Sequence, residues 1–556
     1  MGAEIEFVSV GPAPVPDNAT EHMVPMRDGI RLATDVYLTG DGSPAPTVLV
    51  RLPYDKNGEY TFLPTIADYI TARGYHVVVQ DVRGKFRSEG VPILMTNEVD
   101  DGYDAIDWIV ANPWSDGSVV MFGDSYYGFT QWAAAQSGHP ALKAISPRVT
   151  GTRVGHRPIL TAEGQQEAEF AGALPYISQI FTDADIHYWE VDWSARPLTD
   201  VFERFFEAAG VRAPSYDLAY PEYKLEGRFR GDPVFTGKPI PTLHTIGWWD
   251  NCAPWAWFDQ EWITKDPEWN ANAYLLLEST DHENISFGND LDGREPTPEE
   301  MLPTMPQYID PSLDFYDAVL NGRLDDVPRV RWNLAGTPGY RHAEAWPPAD
   351  ARPQHLALTA AGALAVEAGA TADISWVHDP ENMVPSNTPN SFAYLQYSPD
   401  DQALAERDDV IVFRSEEAAA DTILAGAVRL DAAVEADNED FHIFARLYDR
   451  APDGSLTRIA QGQNRWLGAA GPVRLDIDLL QVGYLLKAGH ALQLHVQASD
   501  YPEFLYSTGT GKSAWEETAP VRIRQTITVG EGGSVLTVHT LDSAGPAHLV
   551  TGGALG

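Results

Sequence analysis

Cysteine is almost absent. Cys252 stands alone among 556 residues, so no intrachain disulfide can form. That suits a reducing compartment, and a cytoplasmic location is expected. Cationic residues are scarce as well: 38 Lys and Arg stand against 80 Asp and Glu, a net charge of −42. Such a surface repels nucleic acid and disfavours an anionic membrane, so neither is expected as a partner. The acidity reflects either a carboxylate-solvated surface or life in high salt, and says little about a substrate. No apolar run approaches the roughly 20 residues that span a bilayer. The opening stretch MGAEIEFVSV has no basic region followed by an apolar one, so no signal peptide is expected.

What is present excludes global disorder. Apolar residues make up 44% of the chain, enough to fill several cores, and the length implies two to four domains. The first part alternates short apolar runs with helical patterns. Thr47–Leu52, His76–Gln80 and Val119–Phe122 read as strands, and Phe62–Arg73, Tyr103–Asn112 and Tyr126–Ser137 as helices. Continuous apolar strands between helices predict a mostly parallel sheet covered on both faces. Pro147 closes this series. Residues 148–238 carry helical periods, such as Ala168–Ile180 and Leu198–Ala209, and no convincing strand. Strands return at Thr242–Trp248 and Ala273–Leu277, followed by a helix over Pro311–Asn321. From Arg329 the runs alternate or are β-branched, as in Phe441–Leu447 and Leu492–Val496, and turn signals such as Asp453-Gly454 separate them. The expected plan is an α/β core at 1–147 and 239–328, a helical insertion at 148–238 and an all-β sandwich at 329–556.

The sharpest local feature is Gly123-Asp124-Ser125-Tyr126-Tyr127-Gly128, between a predicted strand and a predicted helix. That context suits a nucleophile elbow, although the general pattern asks for glycine where Tyr127 stands. The turn lifts the serine hydroxyl above the carboxyl edge of the sheet. It also places the Tyr126 backbone N–H at a helix N-terminus, where it can donate to an oxyanion. Asp250 follows the strand ending in Gly247, and His282 lies in the loop after the strand ending in Leu277. The chain order Ser, acid, His is that of an α/β-hydrolase triad. In that reading His282 takes the Ser125 proton and returns it to the leaving group, while Asp250 orients the imidazole.

Two other signals fail. Thr508–Ser513 ends like a phosphate loop, but Tyr506 replaces the leading glycine. His282-Glu283 begins like a zinc-protease motif, but Ser286 stands where a second histidine is needed, and a thiolate pair is lacking. No metal and no cofactor are expected.

The chain resembles the cocaine esterase and X-prolyl dipeptidyl peptidase family of α/β-hydrolases. Four stretches carry the resemblance: Arg51-Leu52-Pro53-Tyr54-Asp55-Lys56, Gln80–Gly84 with Ser88-Glu89-Gly90, Gly123–Trp132 and Gly247–Asp250. The family elbow has the form G-x-S-Y-x-G, which accounts for Tyr127. The resemblance implies an inserted helical cap and a C-terminal jelly roll. It also implies that Tyr54 donates its hydroxyl to the oxyanion hole.

An acyl pocket is expected between core and cap, with Trp249, Trp255, Phe170, Tyr176 and Trp189 as candidate walls; each is equally a candidate core residue. The expected substrate is a small ester or amide with a hydrophobic acyl group. Asn251, Cys252 and Ala253 offer no carboxylate beside the acid to hold a substrate ammonium, which counts against α-amino esters. An X-Pro dipeptidyl peptidase is the alternative, and a non-catalytic carbohydrate-binding protein a second. A homo-oligomer stays open, since the jelly roll could serve as an interface.

Overall fold

Val48, Val50 and Leu52 point into one apolar layer and Leu49 into another, so a single strand of the chain feeds two cores. Val77 and Val79 alternate with Val78 in the same way, as do Val120 and Phe122 with Val119 and Met121. This is why these runs read as continuously apolar: both faces of the sheet are covered. The computed structural model describes residues 5–153, 160–220, 235, 237–284, 297–335, 337–397 and 401–541. Ser286 and parts of the 148–238 segment fall outside them.

The strands form a ten-stranded sheet. From one edge they run 340–343, 330–333, 273–278, 242–247, 142–148, 115–124, 45–52, 76–81, 31–37 and 20–25. The seven from 330–333 to 76–81 are mutually parallel, and antiparallel strands close both edges. Helices Leu63–Thr71 and Met305–Leu320 bury Ile66, Ile70, Ile309 and Leu313 on one face. Helices Glu98–Val110 and Ser125–Ser137 cover the other through Ile106, Ile109 and Trp132. The parallel arrangement sends the carboxyl ends of strands 115–124, 242–247 and 273–278 to one rim.

Two expectations need correction. The α/β sheet does not stop at 328: Val330–Asn333 pairs parallel with 273–278, and Tyr340–Ala343 closes the edge. A four-residue strand carries too few alternations to tell an α/β edge from a sandwich strand. The 148–238 segment is also not free of strands. Leu160–Ala162 and Gln165–Gln166 extend a sheet of the C-terminal domain, and Ile186–Trp189 pairs antiparallel with Phe7–Val10. Strands of two to four residues leave no readable period.

The C-terminal part is an antiparallel all-β domain of two sheets, with long strands at Thr422–Ala436 and Gly471–Leu486. Its core, including Leu430, Val434, Ile477 and Leu494, continues into Trp248, Trp249 and Ala253 of the α/β part. The inserted segment builds its own core from Phe202, Phe205, Phe206 and Tyr216, and this reaches Phe129 of one neighbour and Trp515 of the other. Three modules therefore share continuous apolar packing around one rim.

Candidate active site

The strand 115–124 ends directly against the helix Ser125–Ser137. Ser125 bears the turn at φ 50, a left-handed conformation that a non-glycine residue adopts only under constraint. The neighbouring Gly123 explains the unusual elbow. A Cβ there would sit 2.0 Å from Cδ2 of Tyr127, so the tyrosine ring lies over the glycine. The bulk that the sequence adds at 127 is accommodated by what it removes at 123.

Asp250 and His282 sit on adjoining loops. Trp248 and Trp249 amides donate to the carbonyls of Glu278 and Thr280, which clamps the acid turn onto the histidine loop. On the far side, the His282 amide donates to the Phe392 carbonyl, and Asp281 accepts the Leu395 amide. His282 Nδ1 lies 2.7 Å from Asp250 Oδ1, both residues being buried. With Nδ1 committed, Nε2 is the nitrogen left for proton exchange. Burial opposes charge on the ring, but Cys252 and Asp250 outweigh it, and the pKa rises well above 6.5.

Ser125 is half-buried, and its side chain lies close enough to the Tyr54 hydroxyl to draw the Tyr54 pKa down. Among the described residues no hydrogen bond joins Ser125 to His282. Tyr54 also shares a 2.8 Å hydrogen bond with the Tyr176 hydroxyl, and burial raises its pKa to about 12, so it stays a donor. The Tyr126 ring points away: its hydroxyl donates to Glu98 Oε1 at 2.9 Å, leaving only its backbone N–H at the elbow.

Ser125, Asp250 and Cys252 line one cavity of about 710 Å³. Trp249, Trp255, Phe170 and Tyr176 line it. Trp189 does not. Its ring stacks on Phe205 at 4.6 Å inside the cap core, because the short strand 186–189 turns it away from the rim. Other walls come from the β domain, among them Phe392, Glu503 and Phe504. Phe392 packs on the His282 ring at 5.1 Å, and Phe170 bridges Phe392 and Phe504 at 6.3 and 6.1 Å. Phe392, Glu503 and Phe504 lie more than 100 residues beyond His282, so no local pattern marks them.

One oxygen of Asp250, the Cys252 sulfur and a ring nitrogen of His282 lie within 4.8 Å of one another. The Asp250–His282 hydrogen bond already uses two of the three, so the group is read as an acid–base pair beside a thiol.

Comparison with known proteins agrees with this architecture. Residues 28–284 match the family described as X-Pro dipeptidyl-peptidase (S15 family). Residues 321–550 match its C-terminal non-catalytic domain. The chain is 28% identical to the cocaine esterase of Rhodococcus sp. (strain MB1 Bresler), over 89% of this chain and 92% of that protein. An aminopeptidase from a marine sediment archaeon, Thaumarchaeota archaeon, superposes with a TM-score of 0.77 at 22% identity, over 96% of this chain and 99% of that one. An α-amino acid ester hydrolase superposes with a TM-score of 0.76 at 21% identity, over 97% of each chain. Fold and relatives make this chain an α/β-hydrolase with an appended β domain. It belongs to the cocaine esterase and X-prolyl dipeptidyl peptidase family.

Proposed function

We propose that the chain hydrolyses carboxylic esters or amides with hydrophobic acyl groups through an acyl-enzyme on Ser125. The observation that carries this reading is the pairing of two features on one cavity: Ser125 held at φ 50 and a buried His282–Asp250 hydrogen bond of 2.7 Å. A bound ester brings the Ser125 hydroxyl to His282 Nε2; hydroxyl rotation is fast, and catalytic hydrogen bonds commonly tighten only with substrate. His282 takes the proton as Ser125 attacks. The Tyr54 hydroxyl and the Tyr126 amide donate to the oxyanion. His282 then protonates the leaving group, and water repeats the sequence on the acyl-enzyme. The aromatic walls favour an apolar acyl group.

A second reading rests on Glu503. This cavity-lining residue is buried, its Oε1 accepts from Gln461 Nε2 at 3.2 Å, and its Oε2 has no hydrogen-bond partner among the described residues. Such an acceptor favours an amino-bearing acyl group, as the names of the aminopeptidase and α-amino acid ester hydrolase relatives suggest. The carboxylate that is missing beside Asp250 is supplied here from the β domain.

Turnover of p-nitrophenyl butyrate, phenylacetic methyl ester, phenylglycine methyl ester and Gly-Pro-anilide separates these readings. The primary reading expects both neutral esters to be cleaved and the anilide to be inert. Preference for phenylglycine over phenylacetic ester, lost in Glu503→Gln, would select the second. Inertness to all four would contradict both.

A further inference from the structure

Asp124 occupies the N-cap of the nucleophile helix, with the extended backbone of a capping residue, φ −104 and ψ 160. Its side chain nevertheless accepts nothing from the helix N-terminus. An aspartate at an N-cap ordinarily takes the amide of the second or third helical residue, here Tyr126 or Tyr127. The Tyr126 amide is the one the oxyanion needs.

The carboxylate is held elsewhere. Tyr308 donates its hydroxyl to Asp124 Oδ2, and Asn284 Nδ2 donates to the same oxygen at 3.0 Å. Arg148 Nε lies 3.2 Å from Oδ1. Arg148 is itself fully buried and braced, donating to Glu278 Oε2 at 3.0 Å and to Asn284 Oδ1 at 3.1 Å. Asn284 stands two residues after His282, at φ 60, a conformation asparagine tolerates better than most side chains. One side chain thus ties the histidine loop to the elbow.

We infer that Arg148, Asn284 and Tyr308 are positioning residues that withhold the Asp124 carboxylate from the helix N-terminus, so that the Tyr126 amide stays open to the oxyanion. A capping carboxylate there would occupy the donor with a charge-assisted hydrogen bond and set a second negative charge beside the developing one. Burial pushes the Asp124 pKa up, and the Arg148 charge beside it opposes that shift and favours the ionised form. The inference rests on Ser125 as the nucleophile.

The test compares Asn284→Gly, which keeps the backbone conformation, and Tyr308→Phe with the same changes combined with Asp124→Ala. Each single variant should lower kcat on p-nitrophenyl butyrate about tenfold, a fraction of the effect of losing an oxyanion donor outright, with KM moving less than about twofold. Phenylboronic acid forms a tetrahedral adduct on serine, and its affinity should fall about tenfold in step. Adding Asp124→Ala should restore most of both losses, because the competing carboxylate is gone. A purely structural role requires the reverse: removing a second member of the network deepens the defect. Double variants no better than the single ones in both pairs, or boronate affinity unmoved in both single variants, would overturn the inference. Fluorophosphonate labelling of the wild-type chain keeps the two readings apart. Absence of label on Ser125 defeats the nucleophile assignment, whereas a labelled Ser125 without rescue defeats only the role given to Asp124.

Discussion

A serine hydroxyl holds its proton too tightly at neutral pH to attack an ester, so what its neighbours do with that proton decides the rate. Tyr54 stays protonated because burial pushes its pKa to about 12. Tyr54→Phe should therefore cost roughly 10²–10³ in kcat with little change in fold, the range for one lost oxyanion donor. Unchanged kcat would remove Tyr54 from the mechanism. The base sets the pH profile. The proposed mechanism needs neutral His282, whose folded-state pKa is raised well above 6.5 by Cys252 and Asp250 against the cost of burial. The ring stays protonated to a higher pH, so kcat/KM should rise with pH along a limb centred above 6.5; a limb centred below about 6 would contradict this. The sequence makes Ser125, Asp250 and His282 legible because each follows an apolar strand, and loops after parallel strands share a rim. It hides Arg148, Asn284, Phe392 and Glu503, whose roles depend on which distant loops meet. Trp189 shows the opposite failure: an aromatic beside the expected pocket is spent on cap packing.

Among the elements, the joint between strand 242–247 and the histidine loop governs the placement of Asp250 and His282. Gly247 is there because a Cβ would fall 2.5 Å from the Thr280 carbonyl oxygen. Gly247→Ala should push the two loops apart. The expected result is a loss of about 1–3 kcal/mol in urea unfolding, the range for overpacking, together with a kcat reduced more than about tenfold. Wild-type values for both would show that the contact relaxes freely. Long strands with both faces buried were readable from their unbroken apolar runs, and Ser125–Ser137 from its position after one of them. The edge strands 330–333 and 340–343 and the short strands of the cap were not, since pairing partners rather than local pattern define strands of that length.

For the whole molecule, three modules converge on one cavity, and an excess of 42 negative charges lies over them. Self-repulsion of that size opposes compactness and is screened within about 10 Å at 0.1 M salt. Tm should therefore rise between 0.05 and about 1 M NaCl in differential scanning calorimetry; a flat or falling Tm would mean that exposed ion pairs such as Arg27–Asp100 and Arg429–Asp476 dominate instead. The meeting of the modules also gives the β domain a part in the site: it supplies a share of the cavity wall and fastens the loop of His282 through Phe392. Incubation with a fluorophosphonate followed by peptide mass spectrometry should place the adduct on Ser125, with turnover lost in proportion, and Ser125→Ala should neither label there nor turn over. Full activity with an unlabelled Ser125, or an adduct on another residue that tracks the loss of activity, would contradict it.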